Sequence, residues 1–383
     1  YTLNNKKTIL LFADWFEPGY KAGGPIRSCL NFAQQMKDRY RIMVFTTDRD
    51  LNATAPYESV VIGKWTSFDA GIDIYYAPPQ QLSWRFVLRQ VRQAKPDFIY
   101  LNSMYSRFFA VYPLLMRRLG LISQPIVLAP RGMLRESALQ FRKGKKKIFL
   151  TLLRWMGVHR LVRFHATDDT EMRDIRRQFG NKVEAILAPN FAGIVKPLTD
   201  TIVKNENELS IIFVGRIHPI KNLDYLLQLL PCIKGKLQLT IVGSEEDKLY
   251  AEQCKKIVAG YPENVQVHFA GEIPNHQVGA LIAKHHLLVL PTQGENFGHA
   301  IFEALSAGRP VLISDQTPWR QLAAARAGWD LALGNQQAFI DALQQAMHWN
   351  QQVFDSWSQG AWQHAAQFSK QTAIKEQYYK LFQ

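Results

Sequence analysis

Glu295 and Glu303 lie eight positions apart in Leu288-Val-Leu-Pro-Thr-Gln-Gly-Glu-Asn-Phe-Gly-His-Ala-Ile-Phe-Glu-Ala-Leu-Ser-Ala-Gly-Arg-Pro-Val311. The pattern predicts a buried strand ending at Pro291, a polar turn holding Glu295, and a helix that opens near Gly298 and closes at Gly308, with Pro310 behind it. One carboxylate then sits beside the helix N-terminus and the other just over one turn inside it, so both can face one ligand at the strand's C-terminal end. The helix opening attracts anions, because its first N–H groups have no partner and its dipole is positive there. An anion beside two carboxylates suits a sugar phosphate, with phosphate on the helix end and hydroxyls on the acids. An ordinary strand–turn–helix unit with two solvated glutamates fits the same residues, so the rest of the chain has to separate the two.

Cations of the right kind stand at a second strand end. Ser210-Ile-Ile-Phe-Val-Gly215 runs into Arg216-Ile-His-Pro-Ile-Lys221, followed by a helix that Asn222 is expected to cap. In a parallel sheet Arg216 and Lys221 would lie near the Glu295 turn and neutralise a departing diphosphate; a solvated loop with two basic residues is the competing reading. Two further strand ends, Gly243-Ser-Glu-Glu-Asp247 and Gly271-Glu-Ile273, open on the same side, so four strand ends of one domain carry polar groups. Near the N-terminus, Gly23-Gly24 precede a helix with Pro25 in its first turn, which places bare amides where a diphosphate could lie. This is neither G-x-G-x-x-G nor G-x-x-x-x-G-K, so the dinucleotide and P-loop readings have no support.

The elements that must hold these residues follow from length and periodicity. A chain of 383 residues suggests two domains. Short apolar runs at residues 8–12, 41–46, 73–77, 98–101, 126–129, 161–165 and 183–187 alternate with helical patterns at 25–36, 86–94, 108–119 and 170–179. A second series of runs at 210–214, 238–242, 265–269, 287–290 and 311–313 repeats the scheme, and the chain reads as helical beyond Gln336. Strand, helix, strand in succession predicts a doubly wound parallel sheet in each half. The expected division is an N-terminal domain over residues 1–195, a C-terminal domain over 196–360, and a helix at 361–383 returning to the first.

Charge is uneven: residues 1–190 carry 30 Lys+Arg against 15 Asp+Glu, and residues 191–383 carry 16 against 17. Such asymmetry marks a polyanionic partner: nucleic acid, an anionic membrane surface or a phosphorylated substrate. Cys29, Cys232 and Cys254 show no metal or redox spacing and fit a reducing cytosol. No apolar run reaches the roughly 20 residues of a membrane span, and Asp14 and Glu17 interrupt the opening apolar run too early for a signal peptide.

Phe213-Val-Gly-Arg-Ile-His-Pro-Ile-Lys-Asn222, Leu239-Thr-Ile-Val-Gly243, Val267-His-Phe-Ala-Gly271 and Glu295-Asn-Phe-Gly-His-Ala-Ile-Phe-Glu303, in this order, resemble the donor domain of the family 4 retaining glycosyltransferases of bacterial surface-polysaccharide type. The resemblance extends to Gly23-Gly24-Pro25, Pro130-Arg-Gly-Met133, Phe164-His-Ala-Thr167 and Pro189-Asn190, and so covers most of the chain. It implies a GT-B fold: two Rossmann-like α/β domains facing across a cleft, with C-terminal helices packing back on the first. It implies a catalytic set of Glu295, Arg216 and Lys221, the two cations on the diphosphate and Glu295 on the transferred sugar with Asn296, Phe297, Gly298 and His299. Glu303 would take the ribose hydroxyls, with Gly215, Gly243 and Ile273 lining the donor site and Gly23 and Gly24 closing on the phosphates. No metal and no cofactor are implied, the co-substrate being a UDP- or GDP-linked sugar.

One position departs from many relatives: Arg131 stands where they carry histidine. Arginine cannot serve as a base at neutral pH, so Arg131 is assigned to donor or acceptor phosphate. On the acceptor side, Arg142, Lys143, Lys145, Lys146 and Lys147 precede Ile148-Phe-Leu-Thr-Leu-Leu-Arg-Trp-Met156. A peripheral contact with an anionic membrane, with Phe149, Leu152, Leu153 and Trp155 dipping in, competes with a buried helix behind a solvated lysine loop. Nucleic acid is not expected, since no groove-reading or base-stacking module is present. The reading is a cytoplasmic, metal-independent, retaining hexosyltransferase, peripheral on the inner membrane face, acting on a saccharide or polyprenyl-diphosphate-linked acceptor. A sugar-nucleotide epimerase of similar fold and a non-catalytic sugar-nucleotide sensor are the alternatives.

Overall fold

Short runs of β-branched, leucine and aromatic residues make the strands, and a computed structural model of the chain describes residues 6–135, 139, 143–195, 197–198, 202–370 and 372–383. Two units result, one within residues 1–191 and 372–383, the other within 192–371.

In the first unit, β1 (Thr8–Phe12), β2 (Arg41–Thr47), β3 (Trp65–Asp69), β4 (Ile72–Ala77), β5 (Phe98–Leu101), β6 (Ile126–Leu128), β7 (Val162–Ala166) and β8 (Ala185–Leu187) form one sheet in the order β3-β4-β2-β1-β5-β6-β7-β8. All pairs are parallel except β3 with β4. Side chains alternate between two covered faces. Leu10, Phe12, Met43 and Phe45 join one core, and Ile9, Leu11, Ile42 and Val44 join the other. The second core is completed by the helix Thr372–Leu381, whose Tyr378 ring stacks on Phe191 at 4.2 Å. The segment that packs here is therefore 372–383, while residues 361–370 lie with the second unit.

In the second unit, β9 (Glu208–Val214), β10 (Lys236–Val242), β11 (Val265–Gly271), β12 (Leu287–Leu290), β13 (Val311–Ser314) and β14 (Gly328–Leu331) form an all-parallel sheet in the order β11-β10-β9-β12-β13-β14. From β9 the chain winds to β10 and β11 on one side, then crosses to β12 on the other. The gap between the C-terminal ends of β9 and β12 is thus a topological switch point, where open α/β sheets bind ligands.

Several elements differ from the expectation. Strands β3 and β14 were not expected: β3 is a half-exposed antiparallel edge without a continuous apolar run, and β14 is only four residues long. The helix expected over 108–119 begins as a π-turn at Arg107–Val111 and continues as Tyr112–Arg118. The stretch after Gln336 breaks into Gln336–Met347, Gln351–Ser369 and Thr372–Leu381. Asn350 restarts the second of these by accepting from the Val353 amide at 3.0 Å.

The basic segment needs a correction of detail. Arg142 lies outside the described residues. The helix Lys143–Trp155 buries Leu150 and Leu153 in the first core, with Phe149 packed beside them. Ile148, Leu152 and Trp155 face outward, 63%, 48% and 83% exposed. Helical periodicity puts 149, 150 and 153 on one face and 148, 152 and 155 on the other. Phe149 and Leu153 therefore cannot form an external apolar face; Ile148 takes their place.

Candidate active site

The loop after β9 and the loop after β12 are joined by backbone. Gln293 N–H donates to the Ile220 carbonyl at 2.8 Å, and the buried Thr292 hydroxyl donates to the same oxygen at 3.0 Å. These bonds hold the two loops across the switch point, so residues distant in sequence meet there.

The first loop owes its shape to His218 and Pro219. Lys221 ends a single 3-10 turn, Pro219–Lys221, that opens with His218 accepting from the Ile220 amide through Nδ1 at 3.2 Å. Proline at the first position supplies a fixed φ and loses no needed donor. Burial lowers the pKa of His218 first, with the nearby Arg216 and Lys221 charges acting the same way against Glu246 and Asp247, which keeps its Nδ1 available as acceptor. The expected side-chain cap by Asn222 is not made: Asn222 sits in the left-handed region at φ 59° and caps nothing with its side chain. A left-handed residue between the 3-10 turn and the helix Leu223–Leu229 redirects the chain there, and Asn tolerates that region better than most residues.

Gly243 fixes how close the next strand end comes. A Cβ at this position, with φ +148°, would lie 2.0 Å from the Gly215 carbonyl oxygen. The same hypothetical atom on Gly215 meets nothing nearer than the Lys221 chain at 3.7 Å. Of these two glycines, Gly243 is the one required by close backbone approach.

The second loop ends at Gly298, with φ +76°, which turns the chain into the helix His299–Ser306. Phe297 is buried and its carbonyl accepts from the Trp319 indole at 2.5 Å. That brace, with the Phe297 and His299 rings 4.7 Å apart, holds the helix opening in place. Glu303 sits half-buried in the second turn of the helix, and Asn296 half-buried in the loop.

The charges form pairs that spacing did not foretell. Lys221 Nζ bonds Glu295 Oε1 across 74 residues, their side chains 13% and 17% exposed. Arg216 pairs with Glu246 at the β10 end, both about two-fifths exposed. Such an exposed pair is worth little and is easily exchanged. The sequence singled out the Glu245–Asp247 run only as a polar strand end; Glu246 as the partner of Arg216 was missed. Ile273 lies in the loop after β11, partly buried against the core.

In the first unit, Gly23 takes φ 64° and caps the helix Gly24–Met36, with open space where its side chain would be. Arg131 also has positive φ, 54°, and its guanidinium is turned inward. Nε donates to Asn102 Oδ1 at 2.6 Å, Nη2 to the Tyr100 hydroxyl at 2.8 Å, and Nη1 to Asn190 Oδ1. The Tyr100 hydroxyl lies 2.7 Å from His165 Nδ1, and His165 Nε2 lies 2.7 Å from the Ala188 carbonyl. A carbonyl can only accept, so Nε2 carries the proton, Nδ1 accepts from Tyr100, and Tyr100 accepts from Arg131. Burial, then the Arg131 charge, push the His165 pKa down to about 3.

With that geometry in view, comparison with known proteins is direct. Residues 198–361 match the family Glycosyl transferases group 1. The phosphatidyl-myo-inositol mannosyltransferase of Mycobacterium leprae is 30% identical over 140 residues, 35% of this chain and 36% of that protein. The O-antigen chain mannosyltransferase RfbU of Salmonella typhimurium is 26% identical over 154 residues, 38% of this chain and 43% of that protein. The chain thus matches less than half the length of either relative. Anabaena HepE, solved in complex with UDP and glucose, superposes with a TM-score of 0.68 at 15% identity, covering 98% of both chains. The fold is GT-B, built from two Rossmann-like units.

Proposed function

We propose, taking the group 1 glycosyl transferase match over 198–361 as the premise, that this chain is a retaining, metal-independent hexosyltransferase. It would move a sugar from a UDP- or GDP-sugar to a saccharide or lipid-linked acceptor. One observation carries the reading: Lys221, Glu295 and the opening of the helix His299–Ser306 come together at the β9/β12 switch point. The relatives named for mannosyl transfer and the UDP complex of HepE support the choice of a nucleotide sugar.

In this scheme the Lys221 ammonium, bonded to Glu295 in the free chain, exchanges that carboxylate for diphosphate oxygens when the donor enters. Arg216 leaves its exposed partner Glu246 at little cost and adds a second cation. Positive groups placed where charge develops stabilise the departing diphosphate, and the helix dipole contributes the same sign. Glu295, released, accepts from hydroxyls of the transferred sugar beside Asn296, Phe297, Gly298 and His299. Glu303 takes the ribose hydroxyls, with Gly215, Gly243 and Ile273 at the neighbouring strand ends. The C1–O bond to phosphate breaks, the bond from the acceptor oxygen to C1 forms on the same face, and the acceptor proton passes to the leaving phosphate oxygen. The assignment of Arg131, Gly23 and Gly24 to phosphate is part of the same proposal; in the free chain Arg131 bonds Asn102, Asn190 and Tyr100, so its role would require exchange of those bonds.

A peripheral membrane contact belongs to the same proposal. Its support is the outward stripe Ile148, Leu152 and Trp155 beside Lys145 and Lys147 on an exposed helix. Among the described residues no helix is long and apolar enough to cross a membrane. The test of the activity is a panel of UDP- and GDP-hexoses incubated with the chain, with and without EDTA, read by nucleoside diphosphate release and by the NMR coupling of the product anomeric proton. Release unaffected by EDTA with retained configuration supports the proposal. Inverted product, a strict metal requirement, or interconversion of donors without release would overturn it.

A further inference from the structure

The first unit carries a groove of about 920 Å³ between its edge strand β3 and the helix Trp84–Ala94. That volume lies in the range of small-ligand pockets, roughly 300–1,000 Å³. The helix turns a stripe of residues four apart into the groove: Arg85, Arg89 and Gln93. Lys64 and Trp65, at the start of β3, form the opposite wall. The floor is aromatic, made by Tyr75 and Phe86.

The polar groups are arranged for an outside partner. Among the described residues none lining the groove is acidic and no ion pair involves Lys64, Arg85 or Arg89, while the Arg89 guanidinium lies over the Phe86 ring at 5.2 Å. Three cations around one concavity repel each other, and an anion placed among them relieves that repulsion. The Trp65 indole is fixed by its N–H donating to Gln90 Oε1 at 3.1 Å, and its ring meets Tyr75 edge-on at 5.5 Å. A held, half-exposed indole offers an apolar face that packs against the C–H face of a sugar ring. Gln81 and Gln93 supply amides for sugar hydroxyls, and the Ser83 hydroxyl, which caps the helix by accepting from the Phe86 N–H at 3.3 Å, keeps its own proton to donate. Cations for carboxylates, a flat apolar wall for rings and amides for hydroxyls together describe an acidic saccharide rather than a bare phosphate, which would leave the aromatic wall without a contact.

We propose that this groove binds a uronic-acid-bearing segment of the acceptor glycan. The assignment to the acceptor rests on the glycosyltransferase reading; the binding itself does not. The test therefore uses the full chain without donor, so that the groove and the transfer reaction can fail separately. Trigalacturonate is titrated by calorimetry, and the Trp65 indole N–H, assigned with Trp65→Phe, is followed in 15N spectra. The expected result is a dissociation constant on the order of 0.1–1 mM, a shifted Trp65 signal, and at least tenfold weaker binding in Arg85→Gln/Arg89→Gln. Melting curves confirm that this variant is folded, and Lys64→Gln, on the opposite wall, gives a second and independent loss. Maltotriose binding as well as trigalacturonate would overturn the acidic assignment. Inorganic sulfate moving the same signal and displacing the trisaccharide at equal concentration would reduce the groove to a simple anion site. Vesicles of anionic lipid perturbing Trp65 while trigalacturonate does not would give the surface to a membrane instead, and no binding by any probe would refute the proposal.

Discussion

Replacing Lys221 by alanine tests the candidate site at its most connected point. The ammonium is 13% exposed and bonds the 17% exposed Glu295 carboxylate, so its removal leaves a mostly buried carboxylate without its cation. Removing one partner of a fully buried pair costs about 3–5 kcal/mol; with solvent still reaching both groups, about 1–2 kcal/mol is expected here. For a unit of this size that lowers Tm by roughly 2–8 °C. The effect on turnover should be larger and separable. Loss of one group that stabilises developing charge typically costs about 10²–10³ in kcat, equivalent to about 2.7–4 kcal/mol. Lys221→Met combined with Glu295→Gln removes both charges, so it should recover most of the lost stability while leaving kcat low. The assay is nucleoside diphosphate release at saturating donor, alongside thermal melts of the wild type, both single variants and the double variant. A Lys221→Ala chain that melts as the wild type does and keeps kcat within about threefold would refute the clamp, as would recovery of turnover together with stability in the double variant.

Gly243→Ala should destabilise the second unit by about 3 kcal/mol or more, because its Cβ would meet the Gly215 carbonyl at 2.0 Å; Gly215→Ala should stay within about 1 kcal/mol, and equal melting of the two would contradict the close approach. Because His165 is held neutral with its pKa depressed to about 3, below its ordinary unfolded value near 6.5, the unfolded state takes up more protons as pH falls. Stability contributed by the neutral ring is fully present above about pH 6.5 and is lost progressively toward pH 3, at up to about 1.4 kcal/mol per pH unit. Urea melts of the wild type and His165→Gln between pH 7 and 5 should show the slope diminished in the variant, and identical slopes would count against the assignment. Co-sedimentation with anionic vesicles should weaken with salt and fall at least fivefold in Ile148→Ser/Trp155→Ser; retention of binding would remove the outward helix face from any membrane contact.

Much of this is legible in the sequence alone. The strand and helix around Glu295 follow from a four-residue apolar run, a polar turn and a helical period; the observed strand Leu287–Leu290 and helix His299–Ser306 sit where that pattern put them. Local periodicity carries such elements because each is decided by side chains a few residues apart. It failed where the deciding contact was distant or partial. Strand β3 exists only because β4 pairs with it, and its half-exposed residues give no strong pattern. The apolar run after the lysines marks a helix, but the face it buries depends on its rotation against the first core, which leaves Ile148 outside and puts Leu153 within.

The site divides in the same way. The sequence by itself determined the residue types at each strand end: the glycines where backbone must turn or approach, the cations of Arg216 and Lys221, and the carboxylates of Glu295 and Glu303. Only the tertiary structure decided which of them touch. Lys221 reaches Glu295 across 74 residues because β9 and β12 are parallel neighbours, with Ile211 beside Leu287, and because the Ile220 carbonyl ties one loop to the other. Arg131 likewise had a charge from the start, but its inward direction was set by Tyr100 and Asn102 at the end of β5 and by Asn190 on a second segment. Spacing along a chain fixes which groups are available, whereas the order of strands in a sheet fixes which become neighbours, and that order is settled by packing both faces of the sheet at once.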